Sequence, residues 1–220
     1  MRNESEKKGW GSLSKEDVGE VCLVTGGSGF VGRCMIERLL ELGCKVKNFD
    51  LMMWEHKSVE FIKGDLTKYD QVFEALKGVN TVFHVAAVIA LSGKEQLMDR
   101  VNVEGTKNLI RGCKEQKVSK LIYTGTSSVS FTGEDILNAK EEDTPDVEKL
   151  PKYGGFYYNR TKSVAESLVL QANSEQLLTC SIRPHSIYGP GDGISWPNII
   201  EKALVILSPN HFSFSLNKRK

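Results

Sequence analysis

The strand, turn and helix signals at residues 21–42 constrain the fold of this chain more than any other part of its sequence. The apolar run Val21-Cys22-Leu23-Val24 leads directly into Thr25-Gly26-Gly27-Ser28-Gly29-Phe30-Val31-Gly32, after which a helical pattern continues. A glycine-rich turn between a strand and a helix leaves the N–H groups at the helix N-terminus free to bind phosphate. The segment therefore predicts an α/β fold with a nucleotide site at its first turn.

The rest of the chain continues the alternation of short apolar runs with longer helical patterns. This alternation predicts a single α/β domain with a doubly wound parallel sheet of the Rossmann type. Several runs are apolar on successive residues, as in strands that helices cover on both faces. We expect six strands, at residues 21–25, 45–49, 59–62, 81–85, 120–124 and 179–183. We expect helices at residues 31–42, 69–76, 95–116 and 159–172, with Gly43 and Gly78 as helix C-caps.

Composition and charge argue against several classes of protein. Of the 220 residues, 40% are hydrophobic and 26% are charged, and the formal net charge is +1, so we expect a soluble protein without a nucleic-acid partner. The N-terminus has no apolar run of signal-peptide length, and nowhere do 18 apolar residues occur in succession. Five scattered cysteines without CxxC spacing indicate neither a disulfide framework nor a metal site, which favours the reducing cytoplasm.

The chain divides into three parts. Residues 1–20 form a polar N-terminal segment, residues 21–192 the nucleotide-binding domain, and residues 193–220 a short C-terminal segment. Within the domain, residues 133–155 are polar, acidic and contain proline, which predicts a long surface loop. Loops of this length often carry function.

The glycines of the first turn predict contacts with a dinucleotide. Gly26 permits the tight turn, Gly29 lets the backbone approach the pyrophosphate, and Gly32 lets the helix pack closely on the strand. The phosphates would lie against the first N–H groups of the helix, near Phe30 and Val31.

Two aspartates follow the second and third predicted strands. Asp50 stands 18 residues beyond Gly32, where a carboxylate can bind the adenosine ribose hydroxyls and repel a 2′-phosphate. This position favours NAD over NADP, although a strand-end aspartate also caps turns. Asp65 either binds the adenine amino group or N-caps the next helix.

A tyrosine and a lysine four residues apart predict acid–base chemistry. Tyr158 and Lys162 share one face of a predicted helix, so the lysine charge can stabilise the phenolate. A row of hydroxyls, Thr124-Gly125-Thr126-Ser127-Ser128, ends the fifth predicted strand, at the edge where parallel sheets bind ligands. The alternatives are an isolated surface pair and hydroxyls that only form a turn.

From Val21 to about Asp192 the chain resembles an extended short-chain dehydrogenase/reductase. Within that superfamily it resembles the 3β-hydroxysteroid dehydrogenase family, particularly its sterol-4α-carboxylate 3-dehydrogenase group. The resemblance rests on residues 26–32, His84-Val85-Ala86-Ala87, Val101-Asn102-Val103-Glu104-Gly105-Thr106, residues 158–162, and Arg183-Pro184-His185-Ser186-Ile187-Tyr188-Gly189-Pro190-Gly191-Asp192.

The resemblance implies roles for particular residues. Tyr158 would be the general base in alcohol oxidation, Lys162 would lower its pKa and hold the nicotinamide ribose, and Thr126, or Ser127, would bind the substrate oxygen. Asn102 would help order the fourth-strand region. Further cofactor contacts would come from Asp65, Leu66, Ala86, Pro184 and Ser186, and no metal is implied.

The resemblance also implies a substrate. It points to NAD-dependent oxidation of a 3β-hydroxy steroid or sterol to the 3-ketone, as in steroid biosynthesis, and it allows a homodimer. Relatives often lie on the endoplasmic reticulum or lipid droplets, which allows a peripheral location there. The alternative within the fold is a nucleotide-sugar epimerase or dehydratase.

The C-terminal segment departs from the family pattern. Residues 196–204 predict the start of a helix, but the stretch from Ser208 to Lys220 does not resemble the family's continuation. We therefore expect a C-terminally truncated form with an incomplete substrate region. A catalytically inactive isoform that still binds NAD is the third hypothesis.

Overall fold

The computed structural model describes residues 14–89, 94–131, 138, 140–141, 144–146, 150, 155–193 and 195–207. It contains two compact units, residues 1–185 and residues 186–220. Most of the expected surface loop at residues 133–155, and all of the deviating stretch at residues 208–220, lie outside the described residues.

Six parallel strands form the sheet of the first unit. Their bounds are β1 (Val21–Thr25), β2 (Lys45–Asp50), β3 (Val59–Lys63), β4 (Thr81–His84), β5 (Lys120–Thr124) and β6 (Leu178–Ile182). The order across the sheet is β3-β2-β1-β4-β5-β6, and every neighbouring pair is parallel. The order reverses between β1 and β4, which forms the crevice where open sheets bind ligands. The predicted doubly wound parallel sheet is confirmed.

Helices follow most of the strands. They are α1 (Lys15–Val18), α2 (Phe30–Glu41), α3 (Tyr69–Ala75), α4 (Glu95–Met98), α5 (Gly105–Glu115), α6 (Gly155–Gln171) and, in the second unit, α7 (Ser195–Leu207). A π-helical turn, Asp99–Glu104, joins α4 to α5, and a 3₁₀ turn, Ser127–Ser130, follows β5. The C-caps of α2 and α3 are Leu42 and Leu76, one and two residues before the expected Gly43 and Gly78. The two glycines follow the helix ends in the left-handed conformation, with φ angles of 80° and 70°.

Several predicted boundaries differ from the structure. Strand β6 begins and ends one residue earlier than expected; Pro184 follows shortly after it and has no N–H group with which to extend the ladder. Strand β4 ends at His84 and β2 includes Asp50. The single helix predicted at residues 95–116 is interrupted by the π-helical turn, which contains the buried Asn102.

The core lies on both faces of the sheet, because successive residues of a strand point to opposite sides. Leu23 of β1 belongs to the larger cluster, which α3, α5 and α6 cover. Its neighbours Cys22 and Val24 belong to a smaller cluster beneath α2. All three side chains are at most 1% exposed, as predicted for a strand covered on both faces.

A chain of buried polar side chains crosses the centre of the sheet at His84. Thr25 Oγ1 lies 2.7 Å from His84 Nδ1, and Thr106 Oγ1 lies 2.9 Å from Nε2. The Thr106 hydroxyl donates to the Asn102 carbonyl, so Nε2 must carry the proton and donate to Thr106. Nδ1 then accepts from the Thr25 hydroxyl, whose oxygen also accepts two backbone N–H groups, at 3.2 and 3.3 Å. The arrangement fixes a neutral imidazole.

The protonation of His84 should therefore control the pH dependence of stability. Burial, with a smaller contribution from the Lys162 charge, lowers the pKa of His84 from 6.5 to about 3. Between these values only the unfolded state binds the proton, so the free energy of unfolding should fall as pH drops below 6.5, by up to about 1.4 kcal/mol per pH unit. Urea denaturation from pH 7.5 to 4.5 should show this slope in the native chain.

The matched variant is His84→Gln, whose amide can donate to Thr106 and accept from Thr25 without titrating. Its overall stability is expected to be lower, but its slope with pH should be flatter. Equal slopes in the two proteins would contradict the role of His84.

Candidate active site

The glycine-rich turn after β1 is fixed by contacts with β2 and with the segment that follows β4. Gly26 has φ 70° and its N–H group donates to the Phe49 carbonyl (3.0 Å). A Cβ atom at Gly26 would lie 2.8 Å from the backbone of Ala86, so only glycine fits this left-handed, crowded position. Ala86, an expected cofactor contact, therefore lies directly against the tight turn at Gly26.

Helix α2 starts directly from this turn and packs onto it. A Cβ atom at Gly32 would lie 2.1 Å from the Gly26 carbonyl oxygen, which explains the close helix–turn packing predicted for this glycine. Gly29 occupies the N-cap position, and no side chain caps the helix there. The N–H groups of the first turn, which begins with Phe30 and Val31, thus have no intrahelical carbonyl partner. Together with the helix dipole they form a site for an anion.

Asp50 lies next to the same turn, where it performs the turn-capping role that the sequence allowed. Its Oδ2 accepts from the Ser28 N–H group (3.0 Å), and its Oδ1 accepts from the Met52 N–H group (3.0 Å). The carboxylate therefore caps the turn after β2 and also anchors the glycine-rich segment. Because each carboxylate oxygen accepts about two hydrogen bonds, it retains capacity for ribose hydroxyls.

The residues after β3 differ in part from the expectation. Asp65 Oδ1 accepts from the Thr67 N–H group (2.8 Å), whereas the N-cap of α3 is Lys68. The N-cap alternative for Asp65 is therefore wrong, since α3 begins later than that reading requires. Leu66 is 5% exposed and packs in the larger core cluster, so its side chain offers little surface to a cofactor.

Helix α6 carries the predicted tyrosine and lysine, and the lysine is buried. Lys162 is 2% exposed; its Nζ donates to the Thr124 carbonyl at the end of β5 (2.7 Å) and lies 4.2 Å from the centre of the Tyr123 ring. Burial lowers the pKa of Lys162 from 10.5 to about 7, and the Glu166 carboxylate opposes this shift. Lys162 thus holds its amino group at the C-terminal edge of the sheet with a lower proton affinity than an exposed lysine has.

Tyr158 lies one helical turn before Lys162 and is partly buried. Burial raises the pKa of its phenol above the usual value of 10. Among the described residues its hydroxyl has no hydrogen-bond partner. Lys162 Nζ, the expected neighbour, donates to the Thr124 carbonyl instead. The phenol is therefore protonated in this state and available to a ligand.

The hydroxyl row after β5 is held against the end of β6. The Gly125 N–H group donates to the Ile182 carbonyl (2.7 Å), and the Ser127 N–H group donates to the Pro184 carbonyl (3.1 Å). Thr126 Oγ1 caps the 3₁₀ turn by accepting from the Ser128 N–H group (3.2 Å). Thr126 thus also performs the turn-forming role that the sequence left open.

Contacts between α6 and its neighbours bring the three predicted catalytic side chains to one edge. The Lys162–Thr124 hydrogen bond joins α6 to the strand end that precedes Thr126. Phe131, directly after the 3₁₀ turn, stacks on Phe156 of α6 with ring centres 5.9 Å apart. Of the remaining predicted contacts, Pro184 lies beside this turn, whereas Ser186 belongs to the second unit.

The site has two halves: one at the glycine-rich turn and the segment after β4, the other on α6. Asn102, in the π-helical turn, connects them. Its Oδ1 accepts from the Val88 N–H group (2.8 Å), while its Nδ2 donates to the Val88 carbonyl (3.0 Å) and to Thr161 Oγ1 (3.1 Å). Asn102 therefore orders the segment after β4 and ties it to α6 between Tyr158 and Lys162.

Sequence reasoning missed two residues beside Lys162. The ring of Tyr123 faces the Lys162 amino group. In the sequence Tyr123 is one of the alternately buried residues of β5, and this pattern does not predict a contact with a lysine. Glu166 continues the four-residue spacing of Tyr158 and Lys162 along α6, and that spacing was the available signal. It is 4% exposed and pairs with Arg183, whose Nε lies 2.8 Å from Glu166 Oε1.

This domain is of the Rossmann type and of the short-chain dehydrogenase/reductase class. Three features define it: the sheet order, the glycine-rich turn before α2 and the buried lysine on α6. The sequence profile of the 3-beta hydroxysteroid dehydrogenase/isomerase family matches residues 23–206. The chain belongs to this family.

Relatives with known names share most of this chain. Human "Sterol-4-alpha-carboxylate 3-dehydrogenase, decarboxylating" is 45% identical over 185 residues, which cover 83% of this chain and 48% of that protein. The "3-beta-hydroxysteroid dehydrogenase" of Mycolicibacterium neoaurum is 41% identical over 203 residues, covering 86% of this chain and 53% of that protein. The chain spans about half the length of these curated relatives.

A solved structure supports the same class. "MoeE5 in complex with UDP-glucose and NAD" is 28% identical, with a TM-score of 0.68, and the match covers 87% of this chain and 62% of that one. Within the described part of our chain, no helix is long and apolar enough to cross a membrane. The same residues hold no group of three or more His, Cys, Asp or Glu side chains suited to a metal ion.

The packing of Gly32 against the turn makes a direct prediction. The Gly32→Ala variant would place a methyl group on the Gly26 carbonyl, so the turn must shift, at a cost of about 1–3 kcal/mol. We expect a lower unfolding temperature in calorimetry. Gly193→Ala is the control, since nothing lies within 4 Å of its Cβ position. Equal unfolding temperatures for the two variants would contradict the packing argument.

Proposed function

We propose that this chain is an NAD-dependent oxidoreductase that oxidises the 3β-hydroxyl group of a steroid or sterol to a ketone. The observation that carries the proposal is the buried Lys162, fixed at the end of β5 with Tyr158 one turn away and the Thr126 turn beside it. Membership in the 3β-hydroxysteroid dehydrogenase family supports the substrate class.

The residues of the first turn fit a dinucleotide. The first N–H groups of α2 would hold the pyrophosphate, and Asp50 would bind the adenosine ribose and repel a 2′-phosphate, which favours NAD over NADP. Lys162 would hold the nicotinamide ribose. When bound, NAD supplies the acceptor for the hydride that leaves the substrate carbon. The NAD in the related MoeE5 complex supports this assignment.

The side chains of α6 and the hydroxyl row would move the proton. The Thr126 hydroxyl, after release from its contact with Ser128, donates a hydrogen bond to the substrate oxygen and orients it; Ser127 is the alternative donor. The phenolate of Tyr158 takes the proton of the substrate hydroxyl, and the Lys162 ammonium stabilises that phenolate. The phenol must lose its own proton first while Lys162 keeps its charge, so activity should rise with pH until Lys162 loses its proton.

The relatives favour a sterol as the substrate. If the 3β-hydroxyl neighbours a 4α-carboxyl group, the ketone formed is a β-keto acid, which loses carbon dioxide. A second candidate, epimerisation of a nucleotide sugar, is favoured by the likeness to the MoeE5 complex with UDP-glucose. The two reactions differ in product, because only the dehydrogenase accumulates NADH.

A location and an assembly state follow as parts of the proposal. A sterol partitions into membranes, which supports a cytoplasmic protein peripheral to the endoplasmic reticulum. A homodimer remains a prediction from the family resemblance.

Removal of the Tyr158 hydroxyl should abolish turnover but not cofactor binding. In Tyr158→Phe we expect the rate of NADH formation from a 3β-hydroxysteroid to fall about 100- to 10 000-fold, since general acid–base catalysis contributes that much. The dissociation constant for NAD, measured by calorimetry, should stay unchanged. The neighbouring Tyr157→Phe is the control, because the Tyr157 hydroxyl binds Asp99 instead. An active Tyr158→Phe protein would refute the assignment, and NAD binding by the native chain without turnover would refute its catalytic part.

Asp50 should decide between the two cofactors. Asp50→Asn removes the charge but keeps an acceptor for one of the two N–H groups it binds. We expect the ratio of NAD to NADP affinity to fall about tenfold, equal to about 1.4 kcal/mol. Glu55→Gln, a nearby exposed acid after the same strand, is the matched control. An unchanged ratio would show that Asp50 acts only as the turn cap.

A further inference from the structure

A buried carboxylate lies behind the catalytic lysine. Tyr158, Lys162 and Glu166 are spaced four residues apart on α6, so they share one face of the helix. Glu166 is 4% exposed, and its burial costs free energy unless its charge is compensated. The proposed catalysis uses the first two residues and leaves the third without a role.

Arg183 compensates only one of the two carboxylate oxygens. Its Nε donates to Glu166 Oε1 at 2.8 Å, while its Nη1 donates to Thr144 Oγ1 at 2.7 Å. The other oxygen, Oε2, is buried and has no hydrogen-bond partner among the described residues. The ion pair with Arg183 therefore fixes the carboxylate but leaves one of its oxygens without a hydrogen bond.

The unpartnered oxygen points to the strand end that holds the lysine. Oε2 lies 3.2 Å from the position that a Cβ atom would have at Gly125. The preceding residue, Thr124, accepts the hydrogen bond of Lys162 Nζ at 2.7 Å. The free carboxylate oxygen and the ammonium therefore converge on the same two residues from the same helix face.

We propose that Glu166 is a positioning residue for Lys162: its buried carboxylate, fixed by Arg183, supplies the negative charge that keeps the lysine as an inward-pointing ammonium. The inference rests on the proposed function for its catalytic consequence. Its physical content, an interaction between two side chains, does not depend on any substrate.

The other groups around Lys162 cannot replace this charge. From β5, Tyr123 offers only a ring face, and burial raises the pKa of its phenol well above 10. From β4, His84 is neutral, because burial lowers its pKa to about 3. On α6 itself, Tyr158 is protonated, since burial raises its pKa. Glu166 is the anion among these neighbours, and it raises the Lys162 pKa against the effect of burial.

The decisive measurement is the pKa of Lys162 in the protein without ligands. Lysine labelled with ¹³C at Cε can be titrated by NMR, and the Lys162 signal is assigned by its loss in Lys162→Met. In Glu166→Gln we expect the pKa to fall by about one unit or more, as for loss of an opposite charge at short range. Glu74→Gln, an exposed ion-pair variant on α3, should leave it unchanged.

Two further variants separate charge from structure. Glu166→Asp keeps the charge and should hold the Lys162 pKa near its native value. If Glu166→Gln fails to fold, the double variant Glu166→Gln/Arg183→Gln, which leaves no buried ion in the pair, should still show a fall, smaller because the positive charge of Arg183 is lost as well. An unchanged pKa on removal of the carboxylate, or an equal fall in Glu166→Asp, would overturn the proposal.

The pH dependence of turnover provides a second readout. Without the carboxylate, Lys162 loses its proton at lower pH and stabilises the Tyr158 phenolate less, so the rise of activity should shift to higher pH. If the Lys162 pKa responds to Glu166 as expected but the chain forms no NADH, only the proposed function is contradicted. A Lys162 pKa insensitive to Glu166 in an active enzyme would contradict this inference alone.

Discussion

The burial of the Lys162 ammonium is the constraint on which the arrangement of the catalytic edge depends. A charge removed from water must be compensated by the protein, and here a carbonyl, an aromatic ring and a carboxylate share that task. Each comes from a defined position on β5 or α6. The same contacts that stabilise the charge therefore fix the helix that carries Tyr158 beside the turn that carries Thr126.

Much of the fold could be predicted from the sequence, because it depends on local signals. Apolar runs, glycine turns and helical spacing identified all six strands and the helix after the first turn. The errors lie where tertiary contacts override these signals. Asn102 interrupts a helix that periodicity predicts as continuous, since its side chain binds the segment after β4. No local pattern encodes that partner.

The candidate site could be predicted in its residue types more readily than in its contacts. The glycines, Asp50, Tyr158 and Lys162 stand out by spacing, but the sequence could not show that Asp50 already binds two backbone N–H groups. It could not show that Lys162 faces Thr124 in this state, because that contact joins residues 38 positions apart. The pairing of Glu166 with Arg183, 17 positions away, was hidden for the same reason.

The order of the two halves along the chain has an evolutionary consequence. The turn at Gly26, its support at Ala86 and the carboxylate of Asp50 all precede Thr126, the first of the proposed catalytic side chains. The hydrogen bonds of Asn102 are a link between the two halves. Under the proposed function, substitutions in the later half would therefore alter the chemistry while the earlier half continues to hold the pyrophosphate and the adenosine ribose. A parallel sheet with a central reversal thus separates what must stay constant from what selection is free to change.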